Sequence, residues 1–146
     1  MADHGFLLGE TLFGLAAVAI RRRDRGLGLT AASTLVTLER TGPRRLTDLA
    51  VSEEVTQPSM TVLVTQLEGL GLAERRRDPA DARVVLVAIT EAGRERLREL
   101  RRVGAEALAE LIGKLDEPEA RALDAALPAL LRLNELAAEI QDSQSG

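Results

Sequence analysis

Between Thr56 and Arg83 the chain collects side chains suited to gripping a polyanion. Gln57, Ser59 and Thr61 can hydrogen-bond base edges or phosphates. Pro58 and Val62 can touch the methyl groups of thymine. Thr65 extends the same polar row by one helical turn. Arg75, Arg76, Arg77 and Arg83 then bring four cations within nine residues. A guanidinium is always charged and its planar fork matches phosphate and guanine edges, so this is the chemistry of nucleic-acid contact.

Each of these features has a plainer reading. Gln57, Ser59 and Thr61 could serve only to cap and solvate a helix. A run of arginines on a strand edge also blocks sheet-to-sheet pairing. What favours nucleic-acid contact is position: polar helix end and arginine run follow each other within a helix-turn-helix. There we expect Arg76 or Arg77 to face DNA, and Arg83 more than either. Arginine is also abundant elsewhere in the chain, as a coding bias would make it.

Catalysis finds no support. The 146 residues contain no Cys, and the one His is His4, at the chain start. Thiol redox, disulfide and zinc-thiolate chemistry are therefore excluded. No glycine-rich phosphate loop is present, and Asp and Glu are scattered without an apolar setting that would raise their pKa. We expect no enzyme activity, no cofactor and no metal.

The elements needed to position the candidate residues can be read from pattern. Thr47 is expected to cap a short helix, Asp48 to Glu54, with Leu49 and Ala50 inward. Val55 fills a turn, and Thr56 caps the next helix, with Pro58 in its first turn. Met60, Leu63, Val64, Leu67 and Leu70 form a buried stripe at helical spacing. Leu72–Arg77 and Arg83–Ile89 read as strands, and Asp78, Pro79, Ala80, Asp81 and Ala82 as the turn between them. A hairpin alone is not stable, so it must pack on the helices before it.

The flanks are helical. Residues 5–23 repeat Leu8, Leu12, Leu15, Ala16 and Ala19 at helical spacing, with arginines at 21, 22, 23 and 25 at its end. Thr30 is expected to cap a helix from Ala31 to Arg40. Thr90 should cap a long helix from Glu91 to about Ile112, its surface laced with Arg–Glu pairs. Asp116 should cap the last helix. Pro118 then lies in its first turn, and a kink is expected at Pro128. The tail after Gln141 is polar. The expected class is mostly α: a winged helix-turn-helix with a two-stranded β wing between N- and C-terminal helices.

Composition fits one domain with an aliphatic core: 45% of residues are hydrophobic, and Phe6 and Phe13 are the only aromatics. The longest apolar run, Leu12 to Ile20, is shorter than a membrane span, which needs roughly 18 residues. A cytoplasmic protein with no membrane partner is expected. The net charge of −4 hides an asymmetry: residues 21–102 hold 16 Arg against 12 acids, while residues 103–146 carry nine acids against three cations. The basic part contains the candidate site.

From Leu29 to Leu100 the chain resembles the MarR family of transcriptional regulators. The matching pieces are LT at 29–30, LTDLA at 46–50, VTQPSMT at 55–61, LEGLGLAERRRDPADAR at 67–83 and LVAITEAGRERL at 86–97. The resemblance implies a homodimer on a pseudo-palindromic DNA operator, often released by a small, frequently phenolic, ligand. It makes 29–90 the DNA-binding lobe and 5–25 with 91–141 the dimerisation helices of a single domain, 1–146. By the same resemblance Asp81 braces Arg83, and Arg83 reaches the minor groove. Four positions depart from the family pattern: Val62 where Arg is frequent, Thr65 and Gln66 where an acidic–basic pair is usual, and Ala82 where the wing tip has glycine. They strip cations from the recognition helix. The overall expectation is a homodimeric, sequence-specific DNA-binding repressor with release by a small aromatic ligand; the alternative is a winged helix used for protein–protein contact.

Overall fold

Local sequence chemistry accounts for most of the element boundaries. The computed structural model describes residues 3–22 and 26–143. The elements run α1 (His4–Arg21), α2 (Leu29–Thr41), β1 (Arg44–Arg45), α3 (Leu46–Ser52), α4 (Gln57–Gly69), β2 (Ala73–Arg77), β3 (Val85–Ile89), α5 (Glu91–Ile112) and α6 (Glu117–Ser143).

Several caps act as the side chains predict. The Thr56 hydroxyl accepts the Ser59 N–H at 3.3 Å, and Thr90 accepts that of Gly93 at 3.1 Å. Asp116 and Glu119 form a reciprocal capping box: each carboxylate accepts the other's backbone N–H, at 2.9 and 3.0 Å. Two expected caps fail. Thr30 and Thr47 lie inside their helices, which start one residue earlier behind Gly28 and Arg45, and neither of those supplies a side-chain cap. The Thr30 carbonyl instead accepts the Thr34 hydroxyl. Helix α6 passes through Pro128 without interruption.

The chain forms two compact units, one within Asp24–Arg101 and one combining the first 23 residues with Arg102–Gly146. In the central unit Leu35, Leu38, Leu49, Met60 and Val64 are fully buried in a single aliphatic cluster that Val87, Ile89 and Leu97 complete. Ala50 is 5% exposed, and its small side chain lets α3 and α4 pack closely. Leu70 departs from the expected stripe. It is the C-cap of α4, past the last turn that faces the core, and is 59% exposed.

The wing is also more than a hairpin. Arg44 and Arg45 pair antiparallel with Val87 and Leu86, so β3 is the centre of a three-stranded sheet ordered β1-β3-β2. Two residues behind Gly42-Pro43 are too few to register as a strand by periodicity. Gly93 locks the sheet to α5: a Cβ there would lie 2.2 Å from the Leu72 carbonyl oxygen. That carbonyl also accepts the Thr90 N–H at 3.1 Å.

In the other unit α1 buries no side chain, and Phe6 and Phe13 are 66% and 79% exposed. Helix α6 likewise exposes Leu127, Leu131, Leu133 and Ile140. Arg22 reaches Glu110 at 3.3 Å, and Gly104 packs against Ala19. The expected basic helix end at Arg23 and Arg25 falls outside the described residues. The 18 residues of α1 have a mean hydropathy of 1.2, long and apolar enough to cross a membrane by length and composition. This corrects the expectation of no membrane-length segment: Glu10 and Thr11 end the apolar run at Leu12 but do not end the helix.

Candidate nucleic-acid interface

Helix α4 owes its orientation to a one-sided apolar stripe. Met60, Val64 and Leu67 are buried, and Leu63 is half-buried. Gln57, Pro58, Ser59, Thr61, Val62 and Thr65 are left on the exposed side, as their spacing requires. Their hydroxyls also serve the helix. Thr61 donates to the Gln57 carbonyl at 3.0 Å, Thr65 to the Thr61 carbonyl at 2.9 Å, and Ser59 lies 2.8 Å from the Thr56 hydroxyl. The row is thus held close to the helix backbone, with Val62, 59% exposed, as its apolar member.

The wing places its arginines by strand alternation. Arg75 pairs with Val87 and Arg77 with Val85, on the sheet face that carries the buried Ala73 and Ile89. Arg76, paired with Leu86, belongs to the opposite face and lines a small cleft with Gly42, Pro43 and Arg94. Arg77 donates to the Ala82 carbonyl at 2.6 Å and so closes the loop at the wing tip.

The tip itself is a braced turn. The Asp78 carboxylate accepts the Ala80 N–H at 2.8 Å, and the Asp78 N–H reaches the Val84 carbonyl at 2.9 Å. Asp81 accepts the Arg83 backbone N–H at 3.0 Å and the Arg83 Nε–H at 3.1 Å, with Nη2 at 3.4 Å from its second oxygen. These bonds to Arg83, aided by the field of Arg45, hold the Asp81 carboxyl below the usual aspartate value. The Arg83 side chain is nevertheless 91% exposed, so bracing sets its direction without taking it out of reach. Ala82, where glycine is usual, sits in the turn without a positive φ.

Sequence reasoning passed over Arg44 and Arg45. Their signal is a basic pair directly before a helix, and it becomes meaningful only once β1 pairs with β3 and brings Arg45 into the field of the wing tip.

A polar helix face next to an outward-aimed arginine hairpin is the arrangement expected of a groove-reading module. The sequence model of the MarR family matches residues 27–85. An HTH-type transcriptional regulator of Mycobacterium bovis, itself uncharacterised, is 36% identical over 113 residues, 77% of this chain and 79% of the relative. The chain belongs to the MarR family. Among solved structures, the MarR-like fold recurs in the transcriptional regulator Tm0710 of Thermotoga maritima: TM-score 0.76, 25% identity, 91% of this chain and 94% of that one. A point mutant of S. aureus MepR, in a structure bound to an oligodeoxyribonucleotide, has the same fold at TM-score 0.66 and 20% identity, over 90% and 98% of the two chains. A MarR-family chain with these relatives is a transcriptional regulator and not an enzyme.

Proposed function

We propose that this MarR-family regulator is a homodimeric repressor that binds a pseudo-palindromic operator in double-stranded DNA. Helix α4 would read the major groove with Gln57, Pro58, Ser59, Thr61, Val62 and Thr65. Arg83, braced by Asp81, would enter the adjacent minor groove, where narrow tracts concentrate negative potential. Arg76 and Arg77 would add phosphate contacts, which supply affinity without sequence information. The observation that carries this reading is Arg83 itself: Asp81 accepts its backbone N–H and makes two contacts to its guanidinium, yet the side chain is 91% exposed, beside an exposed polar helix face.

A second copy of the chain is the proposed cover for the exposed apolar side chains of α1 and α6. The domain then divides as the sequence suggests, with 29–90 as the DNA-binding lobe and 5–25 with 91–141 as dimerisation helices. Two recognition helices must sit about one DNA turn apart, roughly 34 Å. A small aromatic effector that changed this spacing would release the operator.

Selection of bound fragments from random DNA tests the proposal. An enriched inverted repeat is expected, and loss of binding when the selection is repeated with the right aromatic compound. No enriched sequence would sink the operator reading, and indifference to every compound would sink only the effector. The absence of any cation on α4 favours one competing reading, a winged helix that binds protein. DNA binding should weaken steeply with salt as counterions are released, whereas a flat dependence would favour the protein partner.

A further inference from the structure

Helix α4 carries one ionised side chain, and it is an acid. From Gln57 to Gly69 the only charge is Glu68. A carboxylate on a helix that lies in a DNA groove repels the phosphates on either side unless a cation holds it. Arg75 is that cation. One guanidinium nitrogen pairs with the Glu68 carboxylate, and the other lies 3.4 Å from the Thr65 hydroxyl, one turn back on the same helix.

The contrast with Arg83 is in direction. Arg83 is held by a residue of its own turn and stays 91% exposed, whereas the Arg75 pair joins two elements and leaves the side chains 32% and 31% exposed. Strand alternation is the cause. Opposite Val87, Arg75 projects from the sheet face that packs on α4, just past the buried Ala73.

We propose that Arg75 is a positioning residue, tying the wing to the recognition helix through Glu68, and is not one of the cations that neutralise DNA phosphates. The pair sets where Arg83 meets the minor groove once α4 is seated in the major groove. This rests on the DNA-binding reading above, and it separates Arg75 from the arginines beside it in sequence.

The test is a salt titration of binding to a mixed-sequence DNA duplex, followed by fluorescence anisotropy. Each phosphate neutralised adds about 0.9 to the slope of log affinity against log salt. Arg75→Gln should leave the slope of the unaltered chain unchanged. A slope shallower by about one would make Arg75 a phosphate contact and overturn the proposal. The second readout is the preference for the best sequence recovered by selection over the mixed duplex. Arg75→Gln should lower that preference about threefold, the scale of a partly exposed ion pair, and Arg75→Lys, which can still pair with Glu68, should retain it. An unchanged preference in Arg75→Gln would also overturn the positioning role. A flat salt dependence in the unaltered chain would instead remove the DNA-binding reading on which the proposal stands.

Discussion

At the scale of single residues, the wing tip works by fixing a charge without hiding it. A free arginine loses side-chain entropy when it enters a groove; Arg83 has lost part of it already to Asp81. Arg83→Ala should therefore weaken operator binding by about 1–3 kcal/mol and leave folding intact, if the residue reads a base edge. Unchanged affinity in a gel-shift titration would remove it from the site. The brace has a defined pH range. The Asp81 carboxyl is held below its ordinary value of 3.8, so its bond to Arg83 is fully formed above that value and is lost as pH falls through the lowered one. An NMR titration of the Asp81 side chain should thus show no change between neutral pH and pH 5, and a midpoint below that of an unpaired aspartate. A midpoint at or above 3.8 would contradict the pairing.

At the scale of elements, the position of the wing depends on contacts at its base. Gly93 allows the first turn of α5 to press against the Leu72 carbonyl, and Thr90 ties the same junction through the Gly71 carbonyl at 2.6 Å. Gly93→Ala would force a methyl group into backbone and the Ile89 side chain. Because the clash is with backbone, the usual benefit of alanine in a helix should be outweighed. A loss of about 1–3 kcal/mol in chemical denaturation is expected. A stabilised variant would mean that the α5–sheet junction is looser than its geometry. The face of α5 away from the core is laced with pairs such as Arg98 with Glu91 and Glu95 at 2.7 and 2.6 Å, which raise the Arg98 pKa further. Exposed pairs of this kind add little stability.

At the scale of the whole molecule, the dominant feature is exposed apolar surface on α1 and α6. Phe6, Phe13, Leu131 and Ile140 are each more than half exposed, and large exposed apolar patches are the mark of interaction surfaces. If a second copy covers α6, Leu131→Asp should place a charge in that interface and prevent dimerisation, read as a halved mass by light scattering. A stable dimer of the variant would put the interface elsewhere.

Features that depend on near neighbours along the chain are legible in the order of residues alone. The Thr56, Thr90 and Asp116 caps, the Met60–Val64–Leu67 stripe and the wing turn all involve partners a few residues apart; the Asp81–Arg83 brace is as local, and it was the family resemblance that implied it. Features that depend on distant partners emerge only when the chain folds, and the fold is what supplied them. It paired β1 with β3 across more than forty residues, put Leu70 outside the core, and sent adjacent arginines to opposite faces of one sheet. Arg75, Arg76 and Arg77 are identical as letters and differ only in what lies opposite them. A run of like charges has no periodicity of its own, so the role of each member is set by the packing of the sheet on α4.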